Sequence, residues 1–440
     1  MSGPLEFRCF AAGSLVLAAL FWQATPVSGQ DAYLSALSLN SAINPAPEGS
    51  AFFRPLAVRH LGPVDFGLGA ALGAGYNDNV NESSLAQQTD TFVQGSVDVY
   101  FSWTATARSK LNLGADVGYN YYFNHTEVGG LSVQPNSVLD YTIDIPDGTL
   151  DLFDQFNYTR QVTSEGALAN LADLARFENN VGALATWNPG EWNLQVMCSY
   201  DSFRPSSRND YLNRDSEYFY GKAAWRFSRS SETGLEGSGG LTSYKVSGLN
   251  DYYSVSVGPF VDWQARPFLH LGLRGGFTSF VFSGQGGGSG YTLNSYYITL
   301  DATHDLTAYL HHELALQRSL QAGLNAGSDY IEQWTATYSA SWQATQRLAV
   351  RGSVTYENGL QPFQAESFFG FPATVQENFS LIGFGGQFSW QFWRKLSASL
   401  SYNHWVRTSS IGTQDYFPPS FTSARGFSQN IVSVNLNYSF

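Results

Sequence analysis

From Val64 onward, apolar and polar residues alternate in runs of about ten to fifteen residues, separated by turn-rich connections. In Lys110 to Asn124, Leu111, Leu113, Ala115, Val117, Tyr119, Tyr121 and Phe123 take one parity, and Asn112, Asp116, Asn120 and Asn124 the other. Successive side chains of an extended chain point to opposite faces, so this predicts a strand with one apolar and one polar face. Trp192, Leu194, Val196, Cys198 and Tyr200 repeat the pattern, as do Tyr253, Val255, Val257, Val261 and Trp263, and Leu396, Ala398, Leu400 and Tyr402. Eighteen such segments can be drawn: 64–76, 91–105, 110–124, 137–145, 149–159, 178–187, 191–203, 216–227, 233–247, 252–263, 268–282, 293–303, 307–317, 330–342, 348–356, 379–392, 396–406 and 430–440. The last is the most telling. Val432, Val434, Leu436, Tyr438 and Phe440 share one face, Ser433, Asn435, Asn437 and Ser439 the other, and the chain stops on the aromatic. A terminal strand usually frays unless it is tied down.

The connections alternate in length. Tight links fall at Thr106–Ser109, Pro146–Gly148, Asn188–Gly190, Ser228–Glu232, Gln264–Pro267, His304–Asp305, Gln343–Arg347 and Trp393–Lys395, with Pro-Asp-Gly and Asn-Pro-Gly turn chemistry. Most others are long: 77–90, 160–177, 204–215, 357–378 and 407–429. Short turns at one end and long loops at the other are the asymmetry of a transmembrane β-barrel with short periplasmic turns. The expected fold is all-β: a transmembrane antiparallel up-and-down barrel of about eighteen strands, or sixteen where 204–247 and 293–330 divide differently. A soluble propeller would need a repeated blade motif, and none recurs at a fixed period. Aromatics gather at segment ends (Tyr76, Tyr100, Trp103, Tyr121, Phe123, Trp187, Trp192, Trp225, Trp263, Trp342, Trp390, Trp393 and Trp405), as in membrane-interface girdles.

Residues 1–29 read as a secretory signal peptide, with Arg8, an apolar run from Phe10 to Trp22 and small residues Val27-Ser28-Gly29 before the expected cleavage. Residues 30–63 lack alternation, carry Pro45, Pro47, Pro55 and Pro63, and read as a periplasmic extension or linker ahead of a barrel over 64–440. Only Cys9 and Cys198 exist, and Cys9 leaves with the signal peptide, so no internal disulfide is expected. Charged residues make up 13% against 15% aromatics, with 43 glycines. A soluble domain carries about 25% charged residues, so this balance fits a barrel with a lipid face and many turns. The net charge of −13 argues against a nucleic-acid partner.

An eighteen-strand barrel is wide enough to hold water, so its polar face carries the candidate chemistry. The lumen-lining candidates are Asp98, Asp116, Asp140, Asp144, Lys222, Arg226, Glu236, Asp262, Arg274, Asp301, Glu313, Arg351 and Arg407. Charges of both signs either set a field that selects solutes or pair across strands and hold a closed barrel. In the third long connection Leu168, Leu171 and Leu174 recur every third residue, with Asp173 and Arg176 beside them. That segment is either a helical stripe that narrows the channel or a short helix over the mouth. Among the tight turns Arg108, Lys110, Arg229, Arg266, Arg347, Arg394 and Lys395 outnumber Asp147, Glu191, Glu232 and Asp305, whereas Asp78, Glu82, Asp90, Glu357, Glu366 and Glu377 make the long connections acidic. An acidic mouth would concentrate cations, or bind divalent ions that bridge lipopolysaccharide. His311 and Glu313 share a face without a nucleophile, and no Gly-x-Ser-x-Gly elbow or metal-ligand spacing occurs, so neither an enzyme nor a cofactor is expected.

The terminal aromatics Tyr438 and Phe440 resemble the C-terminal signature of bacterial outer-membrane barrels, which implies recognition by the barrel assembly machinery. The position and helical content of 160–177 resemble the inward-folded third loop of general porins. Phe66-Gly-Leu-Gly-Ala-Ala-Leu-Gly-Ala-Gly-Tyr76 followed by Asn77-Asp78-Asn79-Val80 resembles the opening of β-barrel porin-like proteins encoded beside bacterial exopolysaccharide gene clusters. That resemblance implies an outer-membrane barrel without catalytic residues and adds a secreted polysaccharide to small polar solutes as cargo. Many porins are homo-oligomers, but no trimer face is identifiable in the sequence. The opposing reading is a closed structural or adhesion barrel whose loops bind partners.

Overall fold

The computed structural model describes residues 59–84, 87–134, 137–159, 167, 175–246, 249–284, 290–324, 328–366, 372–411 and 425–440. The signal-peptide segment and most of the 30–63 extension lie outside the described residues, as do Leu168, Leu171, Asp173 and Leu174. The strands are β1 (Arg59–Leu61), β2 (Val64–Asn77), β3 (Asp90–Thr106), β4 (Ser109–Tyr122), β5 (Gly130–Val133), β6 (Val138–Ile145), β7 (Gly148–Thr159), β8 (Arg176–Trp187), β9 (Trp192–Pro205), β10 (Arg214–Ser228), β11 (Ser231–Tyr244), β12 (Tyr252–Arg266), β13 (Leu269–Phe282), β14 (Tyr291–Thr307), β15 (Leu310–Ala322), β16 (Tyr330–Thr345), β17 (Leu348–Glu366), β18 (Pro372–Trp393), β19 (Leu396–Ser409) and β20 (Phe427–Ser439). They form one antiparallel sheet, and β20 pairs with both β19 and β2, so the sheet closes on itself. β1 is an arm on the start of β2, and β5 and β6 share one position between β4 and β7. The closure therefore has eighteen staves, and each of the eighteen predicted segments falls on one of them.

Three boundaries differ from the expectation. The turn placed at His304–Asp305 lies at Ala308–Tyr309, because Asp305 stays in the ladder opposite His311 and accepts from its Nδ1 at 2.6 Å. Much of the expected long connection 357–378 is instead a hairpin extension, paired out to Glu366 and Pro372. The stretch before segment 137–145 contains β5, separated from β6 by a bulge at which the Asp116 N–H donates to Ser137 Oγ. Four of the short turns share one device: the hydroxyls of Thr106, Ser228, Thr307 and Thr345 each accept from the backbone N–H two residues on, at 3.1–3.3 Å.

The two faces sort as the alternation dictates. Outward positions expose Leu72, Val97, Val117, Val196, Leu235, Val255, Val257, Leu400, Val434 and Leu436, bounded by Trp103, Trp187, Trp192, Trp225, Trp263, Trp342, Trp390 and Trp393 near the short turns and by Tyr76, Tyr121 and Phe123 at the other end. Such an apolar belt between aromatic girdles matches a hydrocarbon layer. Asp154 breaks it, sharing the outward parity of Leu152 and accepting from Asn179 Nδ2 at 2.5 Å. Two of the aromatics read as girdle residues face inward: Tyr100 is buried, and Trp405 lies over Gly383, where a Cβ would meet its ring at 2.1 Å.

The closing seam explains the glycine-rich first strand. A Cβ on Gly73 would meet Asn435 Oδ1 at 2.0 Å, and one on Gly75 would meet the Phe92 ring at 2.4 Å. Asn435 thus crosses β2 to accept from Gln94 Nε2 at 2.6 Å. At the exit of β2, Asp78 accepts from the backbone N–H and Nδ2 of Asn430, and Asn79 Nδ2 donates to the Ser83 and Ser428 carbonyls. The Asn77-Asp78-Asn79-Val80 motif is the clamp that fastens β20 to the first loop. At the opposite end the Phe440 N–H donates to the Leu68 carbonyl at 2.9 Å, and its ring sits edge-on to Tyr438. Deleting Phe440 removes a hydrogen bond and an aromatic contact worth together about 1–3 kcal/mol. The truncated chain should yield less heat-modifiable barrel in an unheated-versus-boiled gel; an undiminished yield would show that closure does not depend on it.

Candidate functional site: a lumen crossed at its long-loop end

Register places all thirteen lumen-lining candidates on the inner parity. Asp98 and Asp116 are direct partners across β3 and β4, and Asp140 accepts from Asn112 Nδ2 at 3.1 Å. Asp144 faces Thr149 near a short turn. On the far wall Arg274 binds Glu236 at 3.1 Å and Asp262 at 2.9 Å, Asp301 sits beyond Gly272, and Lys222 pairs with Glu232. Arg226 reaches Asn188 at the short-turn end. Glu313 accepts from Ser339 Oγ at 3.2 Å and lies 3.0 Å from His311 Nε2, which makes the His311–Glu313 pair a polar wall contact. Arg351 stands opposite Ser341 and Gln387. Arg407 is buried at the long-loop end.

The charges are unevenly distributed. From β10 to β13, bases and acids pair across neighbouring strands. From β3 to β7, Asp98, Asp116, Asp140 and Asp144 are joined by Asp151, an inner-face acid opposite Thr142, while Lys110 is the basic residue on that arc. Opposite-charge partners stabilise a sheet face, whereas like charges directly opposite, as at Asp98 and Asp116, do not. That arc is the part of the wall where structure alone does not account for the charges.

Toward the long-loop end the lumen is crossed. Ala167, the described residue of the third long connection between β7 and β8, is fully buried. Its carbonyl accepts from Gln361 Nε2 of β17 at 3.0 Å and from Arg425 Nη2 before β20 at 3.1 Å. β8 and β17 lie diametrically opposite in a closure of eighteen, so Ala167 sits against the wall opposite the strand that follows it. It packs in one apolar cluster with Phe203, Leu212, Tyr244, Leu249, Leu324, Ile331 and Phe379, which also joins opposite walls, β9 to β18. Beside it, buried Glu377 binds Arg407 at 2.8 Å and Arg425 at 2.9 Å and accepts from Gln361 Nε2 at 2.9 Å. Arg176 heads β8, buried against Glu178 at 2.9 Å.

Two other connections contribute. The β15–β16 hairpin leans inward: β14–β15 pairing stops at Ile298 and Arg318, and beyond it Leu320 packs on Phe280 and Phe282. The first loop tucks Val80 against Phe92, Tyr122 and Val128. The acids expected to form an open mouth are largely inside: Asp78 and Asp90 clamp backbone and side-chain amides, and Glu82, Glu357 and Glu377 are buried. Composition could not separate a solvated rim from loops folded inward. Arg425, Gln361 and Ala167 escaped sequence reasoning, and Glu377 reads there only as a rim acid, because their meeting joins segments up to 258 residues apart.

Glu82 is the exceptional member. It adopts φ 47°, and its Oε2 has no hydrogen-bond partner. Burial pushes its carboxyl up to about 8, against the opposing pull of Arg407. The folded state therefore binds this proton more tightly than the unfolded chain does. Stability from this group is greatest at low pH and falls as pH rises from the ordinary carboxylate range through about 8, by up to about 1.4 kcal/mol per unit. In Glu82→Gln that slope should disappear from urea midpoints measured in detergent between pH 5 and 9; an unchanged slope would assign it elsewhere. Glu377→Ala leaves two buried guanidiniums without their shared counter-ion and should cost roughly 3–5 kcal/mol in the same measurement; a loss below about 1 kcal/mol would show that the cluster is hydrated.

No protein-family model matches the chain, and no curated protein matches it. Among solved structures, Pseudomonas aeruginosa OpdK with vanillate is 12% identical, covering 85% of this chain and 99% of its own, with a TM-score of 0.45. P. aeruginosa OccK2 (OpdF) in complex with glucuronate is 11% identical, covering 86% and 98%, at 0.45. Acinetobacter baumannii OccAB3 is 9% identical, covering 85% and 99%, at 0.44. At these scores the likeness carries nothing about cargo.

Proposed function

We propose that the chain is an outer-membrane, porin-like channel for passive diffusion of small hydrophilic solutes, narrowed near its outer mouth by the segment around Ala167. The observation that carries this reading is a polar inner face surrounding a bore in which Ala167 is held by two hydrogen bonds, from Gln361 and Arg425 to its carbonyl. A barrel built only to be rigid has no need of an arc on which five acids share one base, Lys110. Asp98, Asp116, Asp140, Asp144 and Asp151 would give the open path a preference for cations. In this reading the long connections face outward, the short turns face the periplasm, residues 1–29 are removed on export, and the Val432–Phe440 strand is what the assembly machinery reads. The closed, loop-binding barrel is favoured by the apolar cluster that joins β9 to β18. Passage of a secreted polysaccharide rests on the first-strand resemblance and would require the Ala167 segment to withdraw from the bore.

Planar-bilayer recording of the refolded mature chain separates these readings. Wild type should give small, cation-preferring steps. Gln361→Ala with Arg425→Ala should enlarge them at least twofold by freeing the Ala167 carbonyl, and Asp98→Asn with Asp116→Asn should move the reversal potential toward zero. A heat-modifiable barrel without conductance in wild type and the double variant would establish the closed reading.

A further inference from the structure

The ladder that closes the barrel is broken at one place on its long-loop side. β14 pairs with β13 from Tyr291 to His304, but its pairing with β15 stops at Ile298 and Arg318. Among the described residues, no strand lies along the β14 edge from Tyr291 to Tyr297. The end of β15, Ser319–Ala322, pairs only with β16, and β16 in turn leaves β17 above Glu332. The tip of this hairpin is therefore a flap joined to the wall from below. An open strand edge is a liability that folds cover or pair, and continuing the ladder would have paired this one.

The flap lies inside the line of the wall. Leu320 has the outward parity of Leu316, yet it is buried on Phe280 and Phe282, which share the inward parity of Arg274. Leu293 of β14 and Tyr330 of the flap pack on the same cluster. An apolar seam thus runs between the inner face of β13–β14 and the flap, and the unpaired β14 edge forms its side. Polar contacts close the seam at both ends. At the bottom Arg318 donates to Ser295 Oγ at 2.9 Å, to the Tyr296 carbonyl and to Glu332 at 3.1 Å, with its guanidinium 3.8 Å from the Tyr296 ring centroid. At the top Asp329 accepts from Tyr291 OH at 2.9 Å and from Asn250 Nδ2 at 2.8 Å. Tyr296 and Trp334, outward and exposed beside Arg318, set the bottom of the seam at the aromatic girdle, the head-group level of the outer leaflet.

A path for polar solutes has no use for an apolar seam beside its bore. We propose that the seam is a lateral port: with the flap swung inward, it joins the lumen to the outer leaflet and admits single-chain amphipaths with an uncharged, hydroxylated head. The alkyl chain takes the place of Leu320 and Tyr330 against Phe280, Phe282 and Leu293, so opening exchanges one apolar packing for another. At the bottom, Arg318 and Glu332 match in charge and stand with the Ser295 hydroxyl, which gives donors and acceptors for hydroxyl groups and no net charge to hold an ion. The same hairpin lends Leu324 and Ile331 to the apolar cluster around Ala167, so its movement couples the side opening to the mouth. The port rests on the outer-membrane channel reading.

Lipid on the outside of a barrel touches outward residues, whereas the port brings an alkyl chain onto inward ones. The experiment uses the full mature chain carrying Cys198→Ser, Tyr291→Cys and Asp329→Cys, refolded into phosphatidylcholine nanodiscs with a trace of dodecyl glucoside bearing a photoreactive diazirine at its chain end. A bifunctional methanethiosulfonate bridge between the two cysteines holds the flap shut, and dithiothreitol frees it. After illumination, labelled peptides are read by mass spectrometry. Inward Phe280, Phe282 and Leu293 should carry at least fivefold more label in the reduced chain than in the bridged one, and outward Val255 and Val257 should be labelled equally in both. In the unsubstituted chain, label on the three inward residues should exceed that on inward Thr299, below the seam, at least threefold. A dodecyl phosphate carrying the same diazirine should label them at least threefold less than the glucoside. Label confined to outward residues, equal inward label in the bridged and reduced chains, or equal labelling by the phosphate would overturn the assignment. Potassium chloride conductance in planar bilayers tests the channel reading by itself: conductance without inward label removes the port alone, and inward label without conductance removes the channel alone.

Discussion

A sheet with an open edge leaves a row of unpaired N–H and C=O groups, and only closure into a barrel gives each of them a partner within the chain. That requirement makes the β2–β20 seam the point on which the architecture depends, because the other wall contacts are hairpins that form locally and this one joins the two ends of the barrel. The local residues show how the seam is held. Glycines on the inner face of β2 leave room for Asn435 to reach Gln94 and for Phe92 to lie flat. Asp78 and Asn79 fasten the loop end, and Phe440 fastens the other. A glycine-rich strand, which costs conformational entropy, is tolerated where its neighbours supply the missing volume.

Closing an eighteen-strand sheet creates a second constraint, a bore too wide for the wall's own side chains to fill. The chain fills its long-loop end with its connections. Ala167 binds Gln361 of β17 and Arg425 ahead of β20, the β15–β16 hairpin leaves the wall above Ile298, and the first loop buries Val80 and Glu82. Burying loops requires partners for their polar groups. Glu377 answers that demand by binding two guanidiniums and an amide at once. Its ion pairs are better understood as fixing where the crossing segment sits than as net stabilisation, since desolvation offsets much of the attraction of a buried pair.

How much of this was legible in the sequence follows from the range of the interactions. Strand identity and facing are set by period two and by turns within a few residues, so the eighteen segments, the outward face of Val432 to Phe440 and the inner parity of Asp98 to Arg407 could be read from the chain alone. Pairing at the ends was less legible. Asp305 looks like a turn residue, yet it continues the strand because His311 across the ladder receives it. Glu357 and Glu377 look like rim charges, yet the hairpin that carries them turns them into the bore. A loop's charge pattern does not say on which side of a wall it will lie. That depends on apolar partners such as Phe203, Ile331 and Phe379, which are contributed by remote strands.

The distribution of charge then separates holding from selecting. Where β10 to β13 place Lys222 and Arg274 among Glu232, Glu236 and Asp262, each base is satisfied by the wall itself. Where Asp98 faces Asp116, two carboxyl groups are direct cross-strand partners with no base from the adjacent strands between them. A barrel that needed only to stand would gain by pairing that arc as it has paired the other. Two walls of one sheet, built from the same alternating strands, thus differ in how far their charges are paired, and only the paired arc is accounted for by the barrel's own stability.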